Sequence, residues 1–295
     1  MTSPSRTSGA AGPRAAVIIP HFNDPDRLAR CLAALMGDLP DCVEVLVVDN
    51  GSHSDPGAWL RRDFPEVRLL CETRPGAGPA RNRGAAETDA ELLLFLDADC
   101  VPGPGWVATA LCAAREADLV GGDVEIFDET PPPRSGAEAF ETTFAFDMRR
   151  YLDEVGFLGS GNLVTRREVH AALGGFRPAV SEDKDYSHRA RAAGFTLGYV
   201  AEMRVGHPSR ADWPALRAKW RRLTDEAWAL HRAEGRGRLA WVGRALLMPV
   251  SVLAHLPRVL RARTLTPGER WRAAGTLLRI RMARMLWMLR QALAP

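Results

Sequence analysis

Residues 91–99 read Glu91-Leu92-Leu93-Leu94-Phe95-Leu96-Asp97-Ala98-Asp99. The run from Leu92 to Leu96 is continuously apolar, which is typical of a strand that is buried on both faces of a sheet. Two aspartates follow directly where this strand is expected to end. Because ligands bind at the carboxyl ends of strands in open α/β sheets, this stretch predicts a central strand with a polar site beside it.

Similar apolar runs predict further strands on both sides of this one, at residues 15–20, 43–48, 67–71 and 119–126. Helical spacing predicts helices between them, at residues 25–36, 56–64, 76–88 and 105–116. This alternation favours a parallel sheet with helices on both faces. Later in the chain we predict helices at 137–155, 166–173 and 185–193, and a turn with a short strand at 159–165. No strand is predicted between residues 194 and 212.

Polar clusters follow three other predicted strands. They are His21-Phe22-Asn23-Asp24, Asp49-Asn50-Gly51-Ser52 and the segment from Gly76 to Asn82. Together with Asp97 and Asp99 they place four polar clusters in register at strand ends. Such an arrangement is improbable by chance and predicts one ligand site along the carboxyl edge of the sheet.

The spacing of Asp97 and Asp99 has a chemical rationale. Carboxylates bind the negative phosphates of a nucleoside diphosphate only when a divalent cation lies between them. Mg²⁺ and Mn²⁺ prefer oxygen ligands and take one or two protein carboxylates together with phosphate oxygens. The alternative is a turn in which the two aspartates only cap backbone N–H groups.

Seven segments resemble, in order and spacing, the family 2 inverting glycosyltransferases of the GT-A fold. They are Val17–Asn23, Val47–Ser52, Gly78–Gly84, Phe95–Asp99, Gly159–Leu163, Gly174–Phe176 and Ser181–Tyr186. The resemblance covers about residues 15–208 and ends near Gly206-His207-Pro208. It implies an α/β fold, a Rossmann-like mixed sheet of the GT-A (nucleotide-diphospho-sugar transferase) type, here with a C-terminal helical extension.

The resemblance also implies roles for individual residues. Asp49 matches the acidic residue that meets the base or ribose of the donor. The remaining donor-binding positions are Pro20, His21 and Asn23 in the same pocket, and Arg81 and Asn82 near the nucleotide or its phosphates. Asp97 and Asp99 match the motif for the metal and diphosphate, with Asp97 also facing the ribose, and His207 matches a histidine near the metal. Asp183 matches the general base.

The chemistry of inversion supports Asp183 independently. A single in-line displacement requires one carboxylate to take the proton of the acceptor hydroxyl as it attacks. That carboxylate must face the leaving diphosphate across the sugar, and the N-terminus of a helix favours its ionised form. Capping of that helix is the alternative role. We expect Glu182 to position the site or the acceptor, and Asn162 to lie against the donor sugar or the acceptor.

Charge divides the chain. Residues 203–295 carry 19 Lys or Arg against 5 Asp or Glu, whereas residues 1–202 carry 20 against 31. We therefore predict a disordered leader at 1–13, a catalytic domain at 14–210 and a basic, amphipathic helical extension at 211–295. Five scattered cysteines without zinc-site spacing indicate reduced thiols, and the polar N-terminus lacks the apolar core of a signal peptide. These features favour the cytoplasm, or the inner face of the cell membrane.

The extension has an apolar stripe flanked by arginines. Its members are Trp271, Leu278, Met282, Met285, Leu289 and Leu293. Such a helix suits peripheral contact with a membrane surface, and packing on the catalytic domain is the alternative. The apolar run at residues 245–254 contains Pro249 and is too short to span a bilayer. Nucleic acid is not expected as a partner, because the chain has basic charge but no recognition motif or stacking platform.

The expected function is metal-dependent transfer of a sugar, with inversion, from a UDP- or GDP-sugar to a hydroxyl acceptor. Mg²⁺ or Mn²⁺ is the expected cofactor, and a lipid-linked or cell-envelope glycan is the expected acceptor. A nucleotidyltransferase is one alternative, although the chain lacks a basic glycine-rich loop after its first strand. A catalytically silent nucleotide-binding or scaffold protein is another, against which the joint presence of Asp97, Asp99 and Asp183 argues.

Overall fold

The computed structural model describes residues 14–178 and 181–293, so the predicted leader at 1–13 lies outside the described residues. The strands are β1 (Ala15–His21), β2 (Val43–Asp49), β3 (Arg68–Cys71), β4 (Leu92–Leu96), β5 (Val101–Pro102), β6 (Leu119–Phe127), β7 (Asn162–Arg166) and β8 (Leu197–Pro208). The helices before β8 are α1 (Pro25–Met36), α2 (Gly57–Asp63), α3 (Ala77–Ala86), α4 (Trp106–Ala113), α5 (Gly136–Phe144), α6 (Met148–Arg150), α7 (Arg167–Ala172) and α8 (Glu182–Ala192). A π-helical turn, Tyr151–Val155, continues α6, and α9 (Trp213–Ala233), α10 (Arg238–Leu260) and α11 (Pro267–Leu293) follow β8.

All eight strands form one sheet in the order β3-β2-β1-β4-β7-β6-β8-β5. β1 to β4 are parallel neighbours, as their continuous apolar runs predict. On one face Leu28, Leu32 and Leu35 of α1 pack in the core, and on the other Ala80 and Ala85 of α3 do. This packing brings the polar ends of β1, β2 and β4 to the same edge.

The other half of the sheet departs from the parallel arrangement that the alternation of strands and helices favours. β7 runs antiparallel to both β4 and β6, and β8 runs parallel to β6. The pairing of Asn162 with Leu96 shows that β7 begins beside the end of β4 and runs back along it. The sheet is therefore mixed, as the family resemblance implies.

The twelve-residue strand β8 was missed by the sequence pattern. Its first half is only partly buried, and Glu202 and Arg204 interrupt its middle, so it lacks the continuous apolar run of the central strands. Its pairing with β6 also shifts register between Gly122 and Asp123. A strand of this kind is defined by its neighbour, and it matters because its end carries His207.

The prediction of a single helix at 137–155 is wrong, because the structure divides this segment into α5, α6 and the π-helical turn. The chain leaves helical geometry at Phe146, where φ is +50°, and the Asp147 side chain accepts a hydrogen bond from the N–H of Arg150 to begin α6. The Phe146 ring lies 4.7 Å from the ring of His207, centroid to centroid. Local capping and a long-range aromatic contact thus interrupt the helical period. The helix predicted at 185–193 begins earlier than expected, at Glu182.

The C-terminal helices pack on the catalytic domain through α5. Phe140 of α5 lies in one apolar cluster with Leu277 and Ile280 of α11. The buried carboxylate of Glu141 pairs with Lys219 of α9 at 2.5 Å and accepts a hydrogen bond from the N–H of Arg210. The C-terminal extension therefore packs against the catalytic domain and is not a detached tail.

Helix α10 corrects the prediction that its apolar segment is too short to span a bilayer. The segment continues into a helix of 23 residues whose most apolar window has a mean hydropathy of 1.5, so by length and composition it passes as a membrane span. Only 11% of that window is buried. One face, with Trp241 and Ala245, packs on α11, whereas Leu246, Val250 and Leu253 are exposed on the other.

Candidate active site

An arginine joins the two halves of the candidate site. The guanidinium group of Arg81, on α3, donates to Asp97 Oδ1 and to Glu182 Oε1, each at 2.5 Å. Arg81 is only 2% exposed and its planar group also lies over the ring of Phe176. A bidentate guanidinium is a rigid connector between carboxylates. It fixes the end of β4 to the start of α8, and Glu182 lies 101 residues beyond Arg81 in the chain.

Glycines let these groups approach. A Cβ atom at Gly78 would lie 2.8 Å from a carboxylate oxygen of Glu182, and one at Gly161 would lie 2.4 Å from a carboxylate oxygen of Asp97. Real Cβ atoms do not come so close to other heavy atoms. The glycines at these two positions are therefore required by space.

Asp183 lies beside this arginine at the first turn of α8. Its Oδ1 atom accepts hydrogen bonds from the backbone N–H of Ser160 at 3.1 Å and from the Ser160 hydroxyl at 2.5 Å. Burial raises the pKa of Asp183, although the charge of Arg81 lowers it. A carboxylate held by one oxygen, with a raised pKa, is suited to take a proton on the other oxygen.

Asp99 and His207 form a second pair. His207 Nδ1 lies 2.8 Å from the carbonyl oxygen of Pro208, which can only accept, so Nδ1 carries the proton. Burial lowers the pKa of His207, although the charge of Asp99 opposes this. In the neutral ring the lone pair of Nε2 faces Asp99 Oδ2 at 3.3 Å. Two acceptors that face each other fit a bound divalent cation, which would replace their repulsion by two bonds.

Among the described residues, no three His, Cys, Asp or Glu side chains gather around one point. Asp97 points to Arg81 instead of joining Asp99 and His207. Mg²⁺ and Mn²⁺ are commonly held by one or two protein groups, with water and phosphate oxygens as the remaining ligands. The pair Asp99 and His207 therefore fits such an ion better than the predicted set of three.

A third cluster lies at the ends of β1 and β2. His21 Nε2 accepts from the N–H of Asp24, so its Nδ1 carries the proton and donates to Asp49 Oδ1 at 3.0 Å. Asp49 Oδ2 accepts from the N–H of Gly51 and of Ser52. Burial raises the pKa of Asp49, but these hydrogen bonds outweigh it and lower the pKa overall. Asp49 is an ionised carboxylate that shapes the neighbouring loops.

Asn23 links the same two loops, which supports its predicted place in this pocket. Its N–H donates to the Ser52 hydroxyl and its Oδ1 accepts from the N–H of His53, both at 2.8 Å. It has a φ of +52°, a conformation that asparagine tolerates better than most residues. Pro20 precedes His21 at the end of β1 and is partly buried.

The structure places two predicted ligand contacts elsewhere. The amide of Asn162 is 1% exposed, accepts from Trp106 Nε1 and donates to the carbonyl groups of Asp123 and Met203. It is occupied in holding β6, β7 and β8 together. The amide of Asn82 donates to the carbonyl of Phe176 and accepts from its N–H, both at 2.8 Å. Both residues act as internal clamps: the described protein groups engage the oxygen and both N–H groups of the Asn162 amide, and the oxygen and one N–H group of the Asn82 amide.

Sequence reasoning gave Ser160 no role. The structure makes it the residue that orients Asp183, through both its N–H and its hydroxyl. The only signal in the sequence is the pair of glycines that flanks it. Small residues on either side predict a close backbone approach but do not tell which side chain it serves.

Fold and site together define an α/β protein whose acidic and histidine side chains gather at the carboxyl ends of its strands. A family model described as Glycosyl transferase family 2 matches residues 16–174, which is more than half of the chain. The chain belongs to glycosyl transferase family 2 and is a glycosyltransferase. This confirms the predicted family and favours a transferase over the two alternatives.

Relatives and solved structures agree. The chain is 28% identical over 219 residues to the Haloferax volcanii glycosyltransferase AglE, with 71% of each chain covered. It is 29% identical to the pre-mycofactocin glycosyltransferase of Mycobacterium tuberculosis, covering 73% of this chain and 47% of that one. A Pyrobaculum calidifontis mannosyltransferase with GDP-Man and Mn²⁺ superposes with a TM-score of 0.59 at 20% identity, covering 96% and 87%. GalNAc-T7 with UDP, GalNAc and Mn²⁺ superposes with a TM-score of 0.54 at 17% identity, and the match covers 75% of this chain and 48% of that one. The predicted GT-A fold is confirmed.

Proposed function

We propose that this protein transfers a sugar from a nucleotide-sugar to a hydroxyl group of its acceptor, with inversion and with help from a divalent cation. The contact of Arg81 with both Asp97 and Glu182 is the observation that carries the proposal. It holds the end of the aspartate motif and the start of the helix with Asp183 in one ion-pair network. Donor site and base are thereby fixed relative to each other before any substrate binds.

Asp183 takes the proton of the acceptor hydroxyl in this reaction. Ser160 orients its carboxylate, and the raised pKa makes it a stronger base than an exposed aspartate. Asp99 and His207 would hold Mg²⁺ or Mn²⁺, which when bound stabilises the charge of the departing diphosphate. Asp49 and His21 form the side of the site that meets the base or ribose of the donor.

A UDP- or GDP-sugar is the proposed donor. The two solved structures above contain UDP in one case and GDP-Man in the other, each with Mn²⁺. Their likeness to this chain is a likeness of fold, so it supports a nucleotide-sugar as the class of donor. The identity of the nucleobase is a question for experiment.

Titration calorimetry of UDP and of GDP tests this proposal. With Mn²⁺ present we expect one of the two nucleotides to bind, and without it we expect binding at least tenfold weaker. In Asp99→Asn the metal-dependent gain should be lost, because the neutral amide is a poorer ligand for a hard cation. Asp89→Asn is the matched control, since this aspartate is fully exposed and far from the site along β4. Metal-independent binding, or none, would contradict the proposal.

A lipid-linked acceptor at the cytoplasmic face of the membrane is the second part of the proposal. The exposed apolar side chains of α10 are matched on α11 by Trp271, Leu278 and Leu293, each at least 50% exposed. The many arginines of these helices complement an anionic lipid surface. Met285 and Leu289, in contrast, pack against other helices. The predicted apolar stripe on α11 is therefore partly packed on the protein and partly exposed.

Vesicle sedimentation tests the membrane contact. Full-length protein should bind vesicles of phosphatidylglycerol and phosphatidylcholine, and the double variant Leu246→Glu, Leu253→Glu should bind at least tenfold less, because two exposed leucines would no longer insert. Val155→Glu is the control, since Val155 is an exposed apolar residue outside these helices. Equal binding by all three proteins would argue that α10 does not face the membrane.

A further inference from the structure

Four cationic side chains gather next to the catalytic helix, and the proposed transfer reaction does not use them. They are Lys184 of α8, Arg244 of α10, and Arg281 and Arg284 of α11. Lys184 directly follows Asp183 in the chain, and its ammonium group lies 5.2 Å from the centre of the Phe157 ring. The group therefore begins at the candidate base and extends into the C-terminal helices.

The pKa values show that these charges interact. Burial lowers the pKa of Lys184, and the charges of Arg244 and Arg284 lower it further, while Asp183 raises it. Burial also lowers the pKa of Arg284 to about 10, and Arg281 and Arg244 lower it as well. Like charges that repel one another in a partly buried place cost free energy unless an anion compensates them.

The charges of Asp183 and Glu226 act on Lys184, but no protein anion within the described residues compensates Arg281 and Arg284. None of the four cations forms an ion pair with a carboxylate, and the nearest acidic side chain of α9, Glu226, is already 3.8 Å from Arg222. The buried Nε atoms of Arg281 and Arg284 have no hydrogen-bond partner. Arg281 reaches only the sulfur of Met248, at 3.9 Å, and Arg284 lies over the ring of Trp220, at 4.7 Å. Folding has thus oriented guanidinium donors that the protein leaves unused.

The position of the group indicates which substrate meets it. Burial raises the pKa of Glu226 of α9, and the charges of Glu182 and Asp183 raise it further, whereas the charges of Arg222 and Lys184 lower it, so this carboxylate shares the surroundings of Lys184 and Asp183. The metal pair Asp99 and His207 lies at the ends of other elements, β4 and β8. If Asp183 acts as the base, as proposed above, the four cations lie on the acceptor side of the site.

We propose that Lys184, Arg244, Arg281 and Arg284 form a subsite for a phosphate group carried by the acceptor. Guanidinium groups bind phosphate through paired charged hydrogen bonds, and two unused Nε donors are available here. The acceptor is then a phosphorylated or diphosphorylated molecule whose hydroxyl is presented to Asp183 while its phosphate is held by α10 and α11. This subsite depends on the proposed function only for its assignment to the acceptor.

Thermal unfolding in the presence of phosphate tests the subsite. The full chain is first saturated with Mg²⁺ and with whichever of UDP and GDP binds, so that the site for the donor diphosphate is occupied. Inorganic phosphate is then added at constant ionic strength, with chloride as the reference. We expect phosphate to raise the Tm of the wild type. In the double variant Arg281→Met, Arg284→Met the apparent Kd for phosphate should rise about 100-fold, since each lost charged hydrogen bond accounts for about tenfold.

Two comparisons separate a binding role from a structural one. Without phosphate the double variant should unfold at the same or a higher temperature than the wild type, because it loses buried charges that have no partner. Arg290→Gln, an exposed arginine on the same helix, should keep the wild-type response to phosphate. A double variant that is less stable without phosphate, or that responds to phosphate as the wild type does, would overturn the proposal.

Two further ligands distinguish the source of the phosphate. Glycerol 3-phosphate represents a soluble phosphate ester, and dihexanoyl phosphatidic acid below its micelle concentration represents a lipid phosphate. A stronger response to either one supports the subsite and assigns its substrate class, and no response to either contradicts it. Absence of nucleotide binding in the first step would contradict the proposed function, whereas the response to phosphate is measured separately.

Discussion

Asp183→Asn should lower the turnover number for sugar transfer by about 10² to 10⁴, the range that a general base contributes. The amide keeps the shape of the side chain and can still meet Ser160, but it cannot take a proton. Binding of nucleotide with metal should stay within about twofold, because the proposed metal ligands Asp99 and His207 lie on other elements. Transfer to a defined acceptor, measured beside calorimetry with the nucleotide, separates the two effects. Near-wild-type turnover in Asp183→Asn would place the base elsewhere.

The pH dependence of transfer gives the same prediction a second readout. The base acts when ionised, so activity should fall as the pH decreases through the pKa of Asp183. Burial raises this pKa, so the acid limb of kcat/KM should lie above the usual aspartate value of about 4. Ser160→Ala removes a hydrogen bond that lowers the pKa of Asp183, so its acid limb should move to a higher pH. A profile that Ser160→Ala leaves unchanged would speak against this orientation of Asp183.

Arg81→Met should destabilise the fold and inactivate the enzyme together. The change leaves the carboxylates of Asp97 and Glu182 without their shared cation, while the methionine fills part of the same volume. Removing one partner from a fully buried pair costs 3–5 kcal/mol, and these carboxylates retain some solvent, so we expect a loss of about 2 kcal/mol in the free energy of unfolding. Denaturant unfolding measures it, and transfer activity should fall at least tenfold.

Arg83→Met is the matched control on the same helix. Arg83 is exposed and pairs with Glu87 one turn further along α3, so its loss should cost less than about 0.5 kcal/mol. Arg81→Lys should give an intermediate result, because lysine keeps the charge but cannot reach both carboxylates in one plane. If Arg81→Met and Arg83→Met were equally stable and equally active, Arg81 would not be the connector of the two halves of the site.

Much of the first half of the fold was accessible to sequence reasoning. The strands β1, β2 and β4 are largely apolar, buried runs, whereas β3 is short and only partly buried. The polar residues that follow β1, β2 and β4 are consecutive in the chain. In these strands the local composition indicates which residues are buried, so the positions of Asp49, Asp97 and Asp99 at strand ends can be predicted from the sequence. The same holds for α1, whose buried face of Leu28, Cys31, Leu32 and Leu35 matches the predicted helical spacing.

The second half of the site was not accessible in this way. β8 has no continuous apolar run and acquires its register from β6, through an irregularity at Gly122, before it delivers His207 to Asp99. The break at Phe146 depends on a ring contact with that same histidine. These features are pairings between distant segments, and single-segment patterns do not contain them.

The sequence by itself determined the family, the strand-end aspartates and the basic character of the C-terminal helices, because each is a property of consecutive residues. Only the tertiary structure decided that Arg81 binds both Asp97 and Glu182, that Ser160 orients Asp183, and that Asn162 clamps the sheet. It also decided that the buried Nε atoms of Arg281 and Arg284 have no hydrogen-bond partner among the described residues. The physical reason is that the charge of each residue can be read from the sequence, whereas its partner depends on the register and packing of elements far apart in the chain.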